Sequence, residues 1–536
     1  MKRRRASSAS TRLRRGVQLA FLLLFLGLLV FMRPRPGGVP SEWLGLFFYL
    51  DPLALLLTAV AAHAAPPTLL AALIVVVVTG ALGRVFCGWV CPLGTLHAAA
   101  SRAMDPWRKP RPERWSRWQT SKYYVLAAVI VTAALGLQWV ALLDPIALLY
   151  RSFATAVLPA TQLAVEATAG SIYQSNPGVG EWRLPALSEP VYRFLRDDVF
   201  VRPRQAFLGS GLILSFFLLT LALNAVRRRF WCRYVCPLGG LLGLFAWRPW
   251  LVRKTDAHVC NQCELCGLAC HGAATDDGAS GWRPQECMGC MNCTDGCPEH
   301  GVTFVFRPPW GGADREKPVD LSRRGLLGAA AAGAAAAVGL YNTPQARGVT
   351  VNPELIRPPG ARREPDFLER CIACGSCMKV CPTGGLQPCL TEAGLAGLWT
   401  PRLVPRIGGC EFECNACGHV CPTEAIAPLP LTDKQRVRIG LASFDLGRCL
   451  PYAFGRECLV CEEHCPTPTK AIYFTRGEFA ARDGRVVTLK QPHVDPNHCT
   501  GCGLCENVCP LRDAPAIRVR SGGESRDPKN QPFLPG

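Results

Sequence analysis

The sequence predicts an α-helical membrane domain followed by small α+β modules built around metal-binding cysteines. Three observations lead there: 24 of the 29 cysteines fall into six spaced quartets, long apolar runs fill the first 250 residues, and those runs repeat in tandem. At 536 residues and 49% hydrophobic, with a positive mean hydropathy, the chain is greasier than a soluble protein of its size. The formal charge of +19 lies largely beside apolar runs, where basic residues mark cytoplasmic flanks. No stacking platform or recognition helix accompanies that charge, so nucleic acid is excluded as a partner.

The first membrane helix is expected over 16–32. Lys2 to Arg5 with Arg12, Arg14 and Arg15 precede it, no small-residue cleavage site follows, and Arg33-Pro34-Arg35 ends it. Three further spans are expected at 68–86, 123–143 and 206–226, each close to the length that crosses about 30 Å of hydrocarbon. The apolar stretch 43–65 is broken by Asp51-Pro52 and reads as a re-entrant or surface helix. The loop 102–122, with Arg108, Lys109, Arg111, Arg114 and Arg117, and the run Arg227-Arg228-Arg229 belong in the cytoplasm. The near-neutral segment 144–204 suits the outer side.

The repeat has two signatures. Asp51-Pro-Leu-Ala-Leu-Leu is answered by Asp144-Pro-Ile-Ala-Leu-Leu, and Cys87-Gly-Trp-Val-Cys91-Pro-Leu-Gly by Cys232-Arg-Tyr-Val-Cys236-Pro-Leu-Gly. Each unit is an outward helix, an Asp-Pro corner and a returning helix ending in CxxxCP, so the four spans form two parallel units. The four thiols converge at the cytoplasmic face, where they hold a further metal or cluster or are buried small hydrophobes. Asp51 and Asp144 read first as helix caps before proline. As acids at membrane depth they are also candidates, with His63, for a quinol site.

The six quartets lie beyond residue 250. Cys260, Cys263, Cys266 and Cys270; Cys287, Cys290, Cys293 and Cys297; Cys371, Cys374, Cys377 and Cys381; and Cys499, Cys502, Cys505 and Cys509 are strict CxxCxxCxxxC. Cys410, Cys414, Cys417 and Cys421 have one extra residue in the first gap, and Cys449, Cys458, Cys461 and Cys465 open that gap to eight. Two-residue gaps aim three thiolates at three corners of a [4Fe–4S] cube, while the fourth cysteine commonly serves the neighbouring cluster. Zinc sites pair two CxxC arms across a longer spacer, and a disulfide framework would not repeat one spacing six times. Five quartets end in Cys-Pro; His271 replaces the proline in the first. In the first module the exchange groups Cys260, Cys263 and Cys266 with Cys297, and Cys287, Cys290 and Cys293 with Cys270. For the last four motifs, neighbour pairing and a nested scheme both stand. Cys389 has no partner motif and reads as a buried thiol.

Ser322-Arg323-Arg324-Gly-Leu-Leu followed by an Ala/Gly run resembles an internal twin-arginine export signal. It forms a fifth span that carries the last four motifs outside. The expected fold is therefore four spans in two tandem repeats, a fifth twin-arginine-type span, and α+β ferredoxin-like [4Fe–4S] modules. Its parts are a membrane domain over 1–250, a cytoplasmic two-cluster module over 251–310, a linker and membrane segment over 311–345, and a four-cluster domain over 346–536. No dinucleotide fingerprint, phosphate loop or CxxCH haem site is present in the sequence, so electrons enter from a lipid-soluble or protein donor and leave to a partner.

On these motifs, residues 1 to about 310 resemble NapH, the membrane subunit of periplasmic nitrate-reductase systems, and 320–536 resemble NapG and its MauM-type relatives. The chain resembles a fusion of the two. The resemblance implies a quinol dehydrogenase or electron-transfer subunit of a bacterial inner membrane, passing electrons from quinol through six [4Fe–4S] clusters to a periplasmic redox protein. Nothing in the chain names nitrate as the final substrate, and the internal place of the twin-arginine segment departs from NapG. A second reading is a maturation or regulatory redox factor of the NosR or CcoG type acting on a copper or other metalloenzyme; NosR's flavin domain is not evident here.

Overall fold

The computed structural model describes residues 9–33, 42–108, 112–179, 182–200, 204–275, 281–307, 319–341, 352–480 and 485–531. The basic run Lys2 to Arg5, Pro34 and Arg35, and Lys109 and Arg111 lie outside them. The chain forms two units, one of 1–29, 45–150 and 212–338, the other of 30–44, 151–211 and 339–536.

The first unit is largely helical. Helix Ala9–Phe31 buries Phe25 and Leu29 and exposes Leu19 and Leu23. Helices Leu46–Tyr49 and Pro52–Ala62 meet at a sharp corner, the bent pair Trp43–Tyr49 and Pro52–Ala62 making 79°. Asp51 caps the second, its Oδ1 accepting from the Leu53 amide at 2.9 Å and the Ala54 amide at 3.4 Å, with Pro52 in the first helical position. Asp144 repeats this corner, accepting the Ala147 amide at 2.6 Å at the start of helix Pro145–Ser152.

The expected full-length spans are not all formed. Among the described residues one helix, Ala9–Phe31, is long and apolar enough to cross a membrane, or two if the bent pair counts as one span. The others are cut short by their own punctuation. Pro67 opens a 3₁₀ turn before helix Ala72–Leu82, and Gly83 at φ 77° closes it. Helix Ser121–Ala134 stops at Gly136, φ 82°, and helix Ser210–Ala222 begins after Gly209, φ 67°. The 14-residue helix Ser121–Ala134 reaches only about 21 Å, against about 30 Å of hydrocarbon. Helix Arg323–Tyr341, which carries Arg323, Arg324 and the Ala/Gly run, lies close against Ser121–Ala134: a Cβ on Gly333 would stand 2.5 Å from the Ala128 carbonyl oxygen, an approach only small residues permit.

A two-stranded antiparallel sheet closes this unit's cysteine-rich module, Leu251–Thr255 against Val302–Phe306 with Leu251 opposite Phe306. The core between the ligand loops contains Cys266, Cys293 and Val302.

The second unit joins helices Leu158–Ser175 and Leu184–Phe194 to the last four motifs. Short antiparallel pairs tie the motifs together: Leu386–Pro388 with Pro401–Leu403, Leu441–Phe444 with Ile517–Arg520, and the hairpin Ile472–Ala480 with Val486–Val494. Buried Arg357 anchors one end, donating to Glu364 Oε2 at 3.1 Å, Thr400 Oγ1 at 2.9 Å and the Pro401 carbonyl at 2.7 Å. Cys389 is fully buried against Leu355 and Ala393.

The segment 151–211 packs onto the third motif inside this unit. Arg151 donates to the Ala373 carbonyl at 3.0 Å and lies 4.3 Å over the Trp399 ring. Gln205 donates to the Cys381 carbonyl at 2.6 Å, and the Leu208 amide to Gln387 Oε1 at 2.8 Å.

Candidate electron-transfer centres

The four strict motifs share one backbone device. The residues just before and just after the second cysteine have positive φ: Gln262 and Glu264, Gly289 and Met291, Ala373 and Gly375, Gly501 and Gly503. Four of these eight are not glycine, and each such residue costs of order 1 kcal/mol. Alternation of this kind turns successive amides to one side, forming a concavity for anionic sulfur. A short helical turn follows each loop: Leu265–Ala269, Asn292–Gly296, Ser376–Val380 and Leu504–Asn507. The two irregular motifs have no positive-φ residue between their last three cysteines. Their longer first gaps reach the site by another path.

Side chains then gather in quartets with the fourth cysteine exchanged. Cys260 and Cys297 pack with Cys266, and Cys263 is the exposed member of that loop. Cys270 lies with Cys287, Cys290 and Cys293. In the second unit Cys421 joins Cys371, Cys374 and Cys377, whereas Cys381 lines one small cavity with Cys410, Cys414 and Cys417. Cys509 lines another with Cys449, Cys458 and Cys461, and Cys465 a third with Cys499, Cys502 and Cys505. The last four motifs are thus joined as neighbours, third with fourth and fifth with sixth.

All 29 cysteines are free of disulfides. Burial pushes the Cys287 thiol up to about 12, the Cys290 thiol adding to it. Burial does the same to Cys410, up to about 12, and to Cys374, up to about 11. Thiols so placed ionise only beside a cationic core, which is what an iron–sulfur cluster supplies. Among the described residues no three of His, Cys, Asp or Glu close on a single-ion site. A polynuclear core, which keeps its thiolates further apart than one zinc does, fits these quartets better.

Both CxxxCP motifs adopt the same shape. A five-residue π-helical turn, Phe86–Val90 or Trp231–Val235, leads to a cysteine that caps the next helix. Cys91 Sγ accepts the Gly94 amide at 3.4 Å, and Cys236 Sγ accepts the Gly239 amide at 3.3 Å. Cys87, Cys91, Cys232 and Cys236 are all buried, and Cys236 lies within electrostatic reach of the other three.

The structure also brings Asp51 and Asp144 together. Both are buried, and their carboxyls lie close to each other. His63 does not join them: it sits exposed at the far end of helix Pro52–Ala62, about 18 Å along the axis from Asp51. Sequence reasoning missed a cavity of about 850 Å³ in the first unit. Trp115, Trp118, Val125, Phe230 and Tyr234 line it, with Arg114, Arg227 and Arg233 among its polar residues. The aromatic and basic residues of 112–125 and 227–235 were its only signal. One wall rests on the cysteine-rich module: the Glu113 amide donates to the Gly267 carbonyl at 3.2 Å and the Trp115 amide to that of Thr275 at 2.9 Å.

Comparison with known proteins agrees with this chemistry. The family described as "4Fe-4S binding domain" matches at 64–113 and 210–257, a second family of that description at 367–387, and the "4Fe-4S dicluster domain" at 456–512. The methylamine utilization ferredoxin-type protein MauM of Methylorubrum extorquens is 37% identical over 225 residues, 40% of this chain and 97% of the relative. The ferredoxin-type protein NapG of Escherichia coli is 36% identical over 190 residues, 35% of this chain and 80% of the relative. MauM of Paracoccus denitrificans is 39% identical over 174 residues, 32% of this chain and 72% of the relative. No solved structure matches. With its thiol quartets and nearly the full length of a MauM represented in it, the chain belongs to the MauM and NapG family of ferredoxin-type iron–sulfur electron-transfer proteins.

Proposed function

We propose that this chain is a membrane-bound quinol dehydrogenase, a fusion of a NapH-like membrane part with a NapG-like part, which passes electrons through six [4Fe–4S] clusters to a periplasmic protein. The observation that carries the reading is the pairing of six thiol quartets in two modules, one of them in the same unit as helices with apolar outward faces. Ile74, Val77, Leu212 and Leu219 are all more than half exposed, a pattern that lipid favours and water does not. The short apolar helices and the bent pair belong to this reading as membrane elements.

The periplasmic assignment rests on the second unit. Segment 151–211, which holds most of the near-neutral loop 144–204 expected on the outer side and the start of the expected span 206–226, packs with the last four motifs through Arg151, Gln205 and Leu208. This packing supports a common side for both parts, and the positive-inside distribution supports the outer one.

For quinol, the cavity of about 850 Å³ offers an aromatic, largely apolar chamber beside the first module. Clusters bound in these quartets supply one-electron acceptors; the protein supplies their spacing, burial and amide hydrogen bonds to sulfur. Asp51 and Asp144 act mainly as caps of the two corners, and neither is among the residues that line the cavity.

Anaerobic titration of the purified chain with a reduced menaquinol analogue tests the proposal. Paramagnetic signals of reduced cubes are expected to grow with added quinol and to be suppressed in a Tyr234→Ala, Trp115→Ala variant. Clusters that dithionite reduces and quinol leaves oxidised would remove the quinol reading and leave the electron-transfer one.

A further inference from the structure

We propose that Cys87, Cys91, Cys232 and Cys236 jointly hold a seventh iron–sulfur centre of cubane size, shared between the two tandem repeats. The matched ranges 64–113 and 210–257 each contain only two cysteines. Neither can complete a four-thiolate site alone. The fold supplies the missing half by bringing both CxxxCP turns together, with all four thiols buried.

The charge around these thiols points to an anionic occupant. Arg84, Lys122 and Arg229 are all fully buried around the four thiols, and Glu286 is the carboxylate among them. Arg84 approaches Cys87 Sγ at 4.0 Å and Glu286 at 3.7 Å, and Lys122 pairs with the same carboxylate. Arg229 donates to the Cys87 carbonyl at 3.2 Å and the Met288 sulfur at 3.0 Å, but pairs with no carboxylate among the described residues. Its Nε and Nη2 are buried with no hydrogen-bond partner.

Three buried cations against one anion would be costly without further negative charge. Four neutral thiols supply none. Four thiolates on an oxidised cubane core exceed its positive charge by about two, which balances the surplus. Among the described residues these sulfurs are not grouped as a single-ion site, and a polynuclear core spans a wider set of thiols than one zinc ion does.

The first of these turns also abuts the loop of the second quartet. Trp89, inside the first turn, donates to the Gly289 carbonyl at 2.8 Å, and a Cβ on Gly88 would stand 2.0 Å from the Met288 carbonyl oxygen. Met288 and Gly289 are the two residues between Cys287 and Cys290. The seventh centre would therefore neighbour the second cluster. On the other side Tyr234 and Val235, between Cys232 and Cys236, line the large cavity.

Iron, acid-labile sulfide, zinc and copper are measured on the purified full chain and on a Cys91→Ser, Cys236→Ser variant, where serine still accepts the capping amide. Seven cubes require about 28 irons in the wild type and about 24 in the variant, with one cubane component lost from the Mössbauer spectrum. A Cys389→Ser control is expected to keep the wild-type count. A wild-type count near 24 that the double variant does not lower, or zinc or copper lost in place of iron, would overturn the inference. The wild-type count decides alone should the variant fail to accumulate.

Discussion

The Trp89 indole N–H donates to the Gly289 carbonyl at 2.8 Å, so the first CxxxCP turn grips the backbone between two cysteines of the second quartet. The same turn places Gly88 directly against Met288. A side chain at residue 88 must push that backbone away. The second repeat has Arg233 at the equivalent place, where it turns instead to Glu113 at 2.7 Å.

Gly88→Ala is therefore expected to destabilise the first unit by about 1–3 kcal/mol, as overpacking does, and to alter the spectrum of the second cluster. Trp89→Phe loses only the hydrogen bond, about 1 kcal/mol. Thermal melting with electron paramagnetic resonance of the reduced chain measures both. Equal, small effects of the two variants would contradict the close approach.

Gly501→Ala tests the positive-φ loops. Residue 501 has φ 70°, and its Cβ would stand 2.3 Å from the Gly440 carbonyl oxygen. Alanine pays the left-handed conformation, about 1 kcal/mol, as well as the clash with backbone. The variant should lose about four irons per chain, the content of one cube. Replacing Met291 by glycine removes strain and should leave iron content unchanged.

The Asp51 and Asp144 corners separate capping from proton transfer. Alanine at either removes a helix cap worth about 1 kcal/mol and lowers the melting temperature. Asparagine keeps an acceptor for the helix amides and can still bond across the pair, so Asp51→Asn should retain both stability and quinol-driven kcat. A large fall in kcat with unchanged melting would instead give the pair a role in moving protons.

In the second unit burial alone would raise the Glu364 carboxyl, but the charge and hydrogen bond of Arg357, with Arg526, hold it at about 2. Since this lies below the value of about 4.5 for an unfolded glutamate, the stabilisation is complete above pH 4.5 and fades only as pH falls toward 2. Glu364→Gln should cost about 2 kcal/mol, allowing for the quarter of its side chain that water reaches. The deficit in melting should be the same at pH 6 and pH 8. A deficit that shrinks between those values would contradict the assignment.

Much of the site could be read from the chain because cubane ligation writes itself locally. Two-residue gaps decide which three thiols share a loop, and the first module's exchanged fourth ligands follow from that geometry. The tandem Asp-Pro and CxxxCP signatures likewise foretold two matching corners and two matching turns. The span lengths were not legible, since hydropathy windows count apolar residues and overlook where Gly83 and Gly136 end a helix and Gly209 delays the start of one. The partnership of third with fourth motif, and of fifth with sixth, depends on contacts such as Leu441–Phe444 with Ile517–Arg520, far apart in sequence. The large cavity forms from two distant segments, and its residues carry no spacing rule.

Mössbauer spectroscopy of the ⁵⁷Fe-enriched full chain, with iron and acid-labile sulfide assayed together, tests the central claim most directly. The account predicts equal amounts of iron and sulfide, at least about 24 of each per chain, in cubane-type spectra. Zinc in the quartets, or iron without matching sulfide, would contradict it.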